Sequence, residues 1–224
     1  MTSIKVPKYV NTKPKITVCV PTRGIIFIDF VDTLLPLLTT DPYWCDLNVV
    51  VRRNRHSVAA VRNSLAKDAL KAGADYLFFI DDDMLFDGIT PIDAIKKLYD
   101  LNAPIASGVC RTRINGVPIW WFKRHEHNRN SRDEYKQFGN IFEALGVGMY
   151  CTLIKREVFD KMQAPYFEYW PYDGGDDMVT EDEYFMNKAN ELGYKVKVRK
   201  DVRLNHIVTM SLNADGETSR RLVG

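Results

Sequence analysis

The most constraining feature of the chain is an apolar run at residues 76–80, Tyr-Leu-Phe-Phe-Ile, that ends in Asp81, Asp82 and Asp83. Five large apolar residues without a polar break predict a strand buried on both faces, as in the middle of a parallel sheet. The three carboxylates then lie at the carboxyl end of that strand. Open α/β sheets bind ligands at this edge, because the connecting loops diverge there.

Three adjacent carboxylates predict a bound cation. Unit charges about 5 Å apart repel by roughly 3 kcal/mol at an effective dielectric of about 20. In an extended strand Asp81 and Asp83 share one face and Asp82 lies on the other, so the three converge only if the chain turns. Residues 84–88, Met-Leu-Phe-Asp-Gly, allow such a turn. The interpretation is a hard metal ion held by oxygen ligands, and a solvated acidic loop is the alternative.

Length and composition predict one globular domain over residues 1–224. The chain is 46% apolar and has a net charge of +2, a mixed balance that does not by itself require nucleic acid or an anionic membrane. The first 14 residues lack the apolar core of a signal peptide, and no apolar run approaches the roughly 20 residues of a spanning helix. We therefore expect a cytoplasmic protein. Four cysteines without paired zinc-site spacing are expected to be buried thiols: Cys19, Cys45, Cys110 and Cys151.

The first half of the chain alternates strand-like and helix-like runs, which predicts a parallel sheet. The predicted strands are 15–20, 47–51, 76–80 and 105–110, and the predicted helices are 28–38, 57–72 and 90–101. Ser57 and Thr90 are the expected helix caps, the second followed by a first-turn proline. A basic cluster follows the second strand and either is a solvated loop or contacts phosphate: Arg52, Arg53, Arg55 and His56.

The second half is less regular. From Arg111 the chain leaves the sheet, and the basic stretch 123–132 is expected to be an exposed loop, although His125 and His127 have a spacing that could grip a metal. Further predicted elements are a strand at 150–154, a helix at 155–162, an aromatic loop at 165–177, and strands at 195–198 and 202–204. Thr180 and Glu183 predict a capping box for a helix that ends at Gly193.

Six sequence features occur in an order that resembles the GT-A fold of nucleotide-sugar glycosyltransferases, in particular the inverting, family-2-like members. The resemblance covers roughly residues 15–208. Its features are Pro21-Thr22-Arg23 after the first strand, Arg62-Asn63 in the helix before the acidic strand, the DxD-like Ile80-Asp81-Asp82-Asp83, Gly146-Val147-Gly148, the ED pair Glu181-Asp182, and His206.

The resemblance implies a metal-dependent glycosyltransferase, of hexosyltransferase type, with a mostly parallel central sheet flanked by helices. It assigns Asp83, His206 and Asp81 to a Mn²⁺ or Mg²⁺ ion, and oxygen ligands with one imidazole suit manganese somewhat better. Asp182 would take the proton from the acceptor hydroxyl and give inversion. Retaining enzymes share the fold and the DxD motif, so the stereochemistry stays open.

The resemblance also implies a donor half at about 15–110, an acceptor half at about 111–210 and a tail at 211–224. The donor would be a UDP- or GDP-sugar, and its base is undetermined because Arg52 and Arg53 stand where many relatives carry an acid. The residues assigned to the donor are Pro21, Thr22, Arg23, Arg62, Asp81, Asp82, Gly146 and Gly148.

Aromatic side chains can stack on sugar rings, so we expect Trp170 and Trp121, together with Glu181, at the acceptor side. The acceptor itself could be a glycan, a lipid, a protein or a modified nucleic acid. The loop that contains Trp170 could instead be a lid over the donor.

Two other functions compete with this interpretation. A sugar nucleotidyltransferase shares the layered fold, but it usually has a glycine-rich basic loop after the first strand, and residues 21–24 are too short for one. A non-catalytic binding protein on the same scaffold would have no use for Asp182 as a base.

Overall fold

The computed structural model describes residues 13–24, 26–53, 57–114, 117–120, 122–125, 128–129, 132–171, 178–207, 210–212 and 218–220. Side chains are described at 13–24, 26–53, 57–110, 135–171 and 179–207. The predictions for Trp121, Arg55, His56 and His127, and for loop residues 172–177, lie outside the described residues. So do those for the side chain of His125 and for most of the basic stretch 123–132.

The helices and strands alternate over the first half of the chain. The strands are β1 Lys15–Thr22, β2 Asp46–Arg53, β3 Tyr76–Phe79, β4 Met84–Phe86, β5 Ile105–Ile114, β6 Val117–Trp120, β7 Phe122–His125, β8 Asn128–Arg129, β9 Ile141–Ala144, β10 Gly146–Val147, β11 Thr152–Lys155, β12 Trp170–Pro171, β13 Met178–Val179, β14 Val196–His206, β15 Met210–Leu212 and β16 Thr218–Arg220. The helices are α1 Val31–Thr39, α2 Val58–Lys71, α3 Pro91–Tyr99, α4 Arg132–Gln137, α5 Arg156–Lys161 and α6 Glu181–Glu191, with short 3₁₀ turns at Ile28–Phe30 and Met149–Cys151.

The central sheet is mostly parallel, as predicted. Its strand order is β2-β1-β3-β11-β5-β14-β4, with β6 beside β5 and β9 beside β14. Strands β2, β1, β3, β5 and β14 run in the same direction, whereas β11 and β4 run against their neighbours. The expectation of parallel neighbours for β3 therefore holds only on the β1 side.

The strand that precedes the three acids is buried on both faces, as its sequence predicts. Leu77 and Phe79 point into one core with α2, α5 and α6, and Phe78 points into the other with α1 and α3. All three side chains are fully buried. The three acids therefore start where a rigid, doubly covered strand ends, and the sheet fixes their position.

Local cap chemistry explains where two of the helices begin. The Ser57 hydroxyl accepts the Ala60 N–H at 3.2 Å, and the Thr90 hydroxyl accepts the Asp93 N–H at 3.1 Å. Each bond satisfies an N–H group that has no partner inside the helix. These two caps are confirmed. The four cysteines are also buried and free, as expected.

Several local predictions were wrong. The Thr180 side chain makes no cap hydrogen bond, because its hydroxyl donates to Asp182 instead. The turn after the acids falls at residues 82–83, and the chain then forms β4. A 3₁₀ turn occupies the start of the strand predicted at 150–154. The two strands predicted after α6 are one strand, β14, with an irregularity between Val198 and Arg203.

Part of the tail predicted at 211–224 forms a strand, because β16 pairs antiparallel with β15. Among the described residues, every helix is too short or too polar to cross a membrane.

Candidate active site

A cavity of about 580 Å³ opens where β1, β2 and β3 end together. Its walls come from the turn after β1, the last residue of β2, the first turns of α2, the acids after β3 and the beginning of α6. The lining residues are Pro21, Thr22, Arg23, Gly24, Phe27, Arg53, Val58, Val61, Arg62, Asp81, Asp82, Asp83, Tyr169 and Glu181. The cavity thus lies at the carboxyl edge of the sheet, where the strand pattern predicts a binding site.

Arg62 joins the acidic strand end to the first turn of α6. Its Nη2 atom lies 2.6 Å from Asp81 Oδ1, and its Nη1 atom donates to Glu181 Oε1. Arg62 is 3% exposed and Glu181 is 8% exposed, so their ion pair is shielded from water, whereas the Asp81 side chain is 28% exposed. The side chain that links residues 81 and 181 is therefore fixed by partners far away in sequence.

This buried cluster shifts the pKa of each member. Burial opposes the charge of Arg62, but Asp81 and Glu181 outweigh it and raise the Arg62 pKa further above its ordinary value. Burial raises the pKa of Asp81 and of Glu181, with the Arg62 guanidinium acting in the opposite direction on both. One guanidinium is thus shared by two desolvated carboxyl groups.

Asp82 occupies a different environment in the same cavity. Its pKa is raised to about 6, mainly by burial and also by the neighbouring Asp83 and Asp81, while a hydrogen bond from Thr22 acts in the opposite direction. The Thr22 hydroxyl also accepts the Gly24 N–H at 3.0 Å. Thr22 therefore holds the turn after β1 against the acid cluster.

Asp83 and His206 lie close together although they are far apart in the sequence. His206 ends β14, and its Nε2 atom lies 3.0 Å from Asp83 Oδ2. The hydrogen bond to Asp83 raises the pKa of His206, although burial acts against the increase. The pairing of β4 with β14 sets this contact, because His206 lies opposite Met84, the residue after Asp83.

The chemistry of this pair fits a divalent cation. Asp83 Oδ1 is buried and has no hydrogen-bond partner among the described residues, so this acceptor atom is left for a ligand. Across the same residues, no three His, Cys, Asp or Glu side chains are grouped so that they could hold a metal ion. Asp83 and His206 would supply at most two ligands, and a nucleotide's phosphate oxygens would have to supply others, as is common for Mg²⁺ sites.

Asp182 is held at the start of α6 by two hydrogen bonds to one oxygen. The Thr180 hydroxyl and the Glu183 N–H, the latter at 2.9 Å, both donate to Asp182 Oδ1. The carboxylate is half-buried and follows Glu181, which is bound to Arg62. The position of Asp182 therefore depends on the acid cluster, because the adjacent residue Glu181 is bound to Arg62.

Asn63 anchors the aromatic loop to α2, next to Arg62. Its Nδ2 atom donates to the Phe167 carbonyl at 2.6 Å, and its Oδ1 atom accepts the N–H groups of Tyr166 and Phe167 at 2.8 and 3.2 Å. The Phe167 ring stacks on Phe185 with centroids 5.0 Å apart. Tyr169 then hydrogen-bonds Glu181, and burial together with that carboxylate raises the Tyr169 pKa to about 12.

Five predicted site residues, including the predicted base and the predicted histidine ligand, are not among the residues that line the cavity: Asp182, His206, Gly146, Gly148 and Trp170. Gly146 belongs to β10 and pairs with Lys123, and the Gly148 carbonyl accepts the Thr152 hydroxyl at 3.1 Å. Trp170 is 54% exposed, immediately after Tyr169. Tyr169 belongs to the aromatic loop that was predicted to stack on a sugar or to close over the donor. Sequence reasoning missed Phe27, Val58 and Val61 as wall residues, because apolar residues near a helix start carry no chemical signal.

Comparisons with known proteins identify the fold. No family model and no curated protein matches the sequence. Among solved structures the chain is similar to A197 from STIV, with a TM-score of 0.60 and 18% identity over 93% of this chain and 94% of that one. It is also similar to GalNAc-T7, crystallised with UDP, GalNAc and Mn²⁺, with a TM-score of 0.54 and 12% identity over 88% of this chain and 44% of that one. The chain has the GT-A-like fold of glycosyltransferases, and the fold prediction is confirmed.

Proposed function

We propose that this protein is a metal-dependent glycosyltransferase that moves a sugar from a nucleoside-diphosphate sugar to an acceptor hydroxyl. The observation that carries the proposal is the Arg62 bridge, which joins Asp81 to Glu181 beside Asp182. A carboxylate cluster for the donor and a separate carboxylate for the acceptor are thereby held as one rigid unit. Such fixed geometry is what a transfer between two bound substrates requires.

Asp182 is the proposed general base. The acceptor oxygen forms a bond to the anomeric carbon, the bond from that carbon to the donor's diphosphate oxygen breaks, and the acceptor proton passes to Asp182. The diphosphate leaves with the bonding electron pair. Thr180 and the Glu183 N–H hold Oδ1 of Asp182, so Oδ2 is the oxygen proposed to take the proton. Attack from the face opposite the diphosphate gives inversion.

Asp83 and His206 are the proposed metal ligands, with Asp81 alongside, and Mn²⁺ or Mg²⁺ is the proposed ion. When bound, the ion would neutralise the negative charge that develops on the departing diphosphate. The orphan oxygen Asp83 Oδ1 supports this assignment. Mn²⁺ in the GalNAc-T7 structure is consistent with it.

The donor is proposed to lie along the cavity, with its sugar and diphosphate near the acids and its nucleoside toward the far end. Pro21, Thr22, Arg23, Phe27 and Arg53 all line the cavity and are the proposed contacts of the donor. UDP- and GDP-sugars are the candidates, and UDP in the GalNAc-T7 structure supports the nucleotide class. We propose that the acceptor approaches past the exposed Trp170.

A donor-cleavage assay tests this proposal. Purified protein is incubated with a panel of UDP- and GDP-sugars and Mn²⁺, and nucleoside diphosphate release is measured with and without chelator. We expect one donor to be cleaved by the wild type and by Asp87→Asn, an exposed control four residues from Asp83. Asp83→Asn and chelation should each abolish release, and Asp182→Asn should keep donor binding while losing transfer.

Other outcomes would replace the proposal. Pyrophosphate exchange with a nucleoside triphosphate would indicate a sugar nucleotidyltransferase. Binding of a nucleotide sugar without turnover would indicate a binding protein. Equal loss of donor binding and transfer in Asp182→Asn would remove Asp182 as the base.

A further inference from the structure

Strand β2 forms one end of the central sheet and leaves its outer side open. Among the described strands, only β1 pairs with it. The strand is eight residues long, Asp46–Arg53, and contains neither proline nor lysine. Natural proteins usually protect long edge strands with such residues, with bulges or by covering them, because an open edge pairs with other strands. Among the described residues, β2 pairs with β1 without a bulge, and its charged residues lie only at its ends, at Asp46, Arg52 and Arg53. The five residues between them, 47–51, are uncharged and favour pairing with another strand.

The hydrogen bonds of β1 show which residues of β2 face outward. The Asp46 N–H donates to the Pro14 carbonyl at 2.9 Å, whereas the Lys15 and Cys19 carbonyls accept from residues on the other side, at β3. Along a strand, the backbone groups of alternate residues point to opposite sides. The even residues of β2 therefore bond to β1, and the outward groups belong to Leu47, Val49, Val51 and Arg53.

We propose that β2 pairs antiparallel with β2 of a second copy of this chain, across a two-fold axis at Val49. Along two antiparallel strands, hydrogen-bonded and non-hydrogen-bonded residue pairs alternate. A two-fold axis can therefore relate the strands only if it passes between one residue and the same residue of the second copy. Centring on Val49 places Leu47 opposite Val51 of the second copy. The N–H and C=O groups of Leu47, Val49 and Val51 point away from β1, so those of one copy can form hydrogen bonds with those of the other.

The side chains in this register are complementary on both faces of the extended sheet. Leu47 and Val49 pack on the α1 side of the sheet, and Val51, on the same face, is 40% exposed. Within residues 47–51, the facing pairs on that side are all aliphatic. On the α2 side, the exposed Asp46 would lie opposite Arg52 of the second copy, once at each end, where the Arg52 guanidinium also binds Asp68 of its own chain at 2.5 Å. Opposite charges facing across strands stabilise the pairing, and like charges would oppose it.

A proline at the two-fold axis tests the proposal. Val49→Pro removes an outward N–H but no hydrogen bond to β1, so the fold should be retained and only the edge blocked. Val49→Thr keeps the N–H and is the matched control. We expect light scattering and sedimentation of the full chain to show a reversible dimer for the wild type and Val49→Thr, and a monomer for Val49→Pro with an unchanged circular dichroism spectrum.

A charge reversal tests the register without a backbone change. Asp46→Arg places arginine opposite Arg52 at both ends, and we expect the dimer dissociation constant to rise by about tenfold. Asp41→Arg changes the net charge equally, away from the strand, and should leave it unchanged. In the dimer, the amides of Leu47, Val49 and Val51 should become protected from hydrogen exchange. A wild type that stays monomeric to roughly millimolar concentration, or a dimer insensitive to both Val49→Pro and Asp46→Arg, would overturn the proposal.

Discussion

Replacing Arg62 by methionine should strongly destabilise the fold. The side chain is 3% exposed and compensates two carboxylates, Asp81 at 2.6 Å and Glu181. Methionine keeps much of the side-chain length but leaves the buried Glu181 and the partly buried Asp81 without a counter-charge. Breaking a buried ion pair from one side costs about 3–5 kcal/mol, a large part of the 5–15 kcal/mol that typically separates folded from unfolded chains.

Urea unfolding at pH 7, followed by circular dichroism, measures this loss. At this chain length each kcal/mol lowers the melting temperature by roughly 2–4 °C, so Arg62→Met should melt about 6–20 °C lower. Arg203→Met is the matched control, because Arg203 and its partner Asp87 are 54% and 47% exposed and lie 3.4 Å apart. An exposed pair of this kind is worth about 0–1 kcal/mol.

A double-mutant cycle separates the ion pair from the loss of packing. Glu181→Gln removes one of the two uncompensated charges, so Arg62→Met with Glu181→Gln should be less destabilised than the sum of the two single variants. Additive losses would show that the Arg62–Glu181 pair is not coupled. A loss in Arg62→Met no larger than that in Arg203→Met would refute the argument from burial.

Three smaller predictions follow from other contacts. The ion pairs of Asp201 with Arg199 and Lys97, although partly opposed by burial, lower its pKa. Its stabilisation is therefore complete above the unfolded pKa and lost as the pH falls through the lower folded value. Asp201→Asn, at a carboxylate that is 35% exposed, should cost about 1 kcal/mol in urea unfolding at pH 7, and the difference should shrink below about pH 4. Asn63→Ala should cost about 1–3 kcal/mol and speed amide exchange at Tyr166 and Phe167, and unchanged exchange would exclude Asn63 as the loop's anchor. Thr90→Ala should cost about 1 kcal/mol through loss of the α3 cap, whereas Thr39→Ala, at an exposed hydroxyl bonded within α1, is its control in the same unfolding assay.

The sequence predicts those parts of the structure that local chemistry decides. The apolar run before Asp81 specifies a buried strand, and the hydroxyls of Ser57 and Thr90 specify helix starts. Thr180 shows the limit of such reasoning. Its hydroxyl had two acceptable uses within one turn, as a cap or as a donor to Asp182, and residue spacing does not decide between them.

The features that the sequence did not predict depend on contacts between residues that are far apart in the chain. The insertion of β11 antiparallel between β3 and β5 depends on contacts across many residues. Arg62 was expected to hold the nucleotide, yet its terminal nitrogens bind residues 19 and 119 positions away. The contact between Asp83 and His206 was anticipated only through the family resemblance, since strand pairing alone brings them together.

The most direct test of the proposed activity is Mn²⁺ binding followed by electron paramagnetic resonance, with UDP or GDP present. We expect the wild type and Asp87→Asn to deplete the free Mn²⁺ signal in the presence of one of the nucleotides. Asp83→Asn and His206→Ala should each abolish most of that depletion while circular dichroism stays unchanged. Equal Mn²⁺ uptake by wild type and Asp83→Asn, or no uptake by the wild type with either nucleotide, would contradict a metal and donor site at the end of β3.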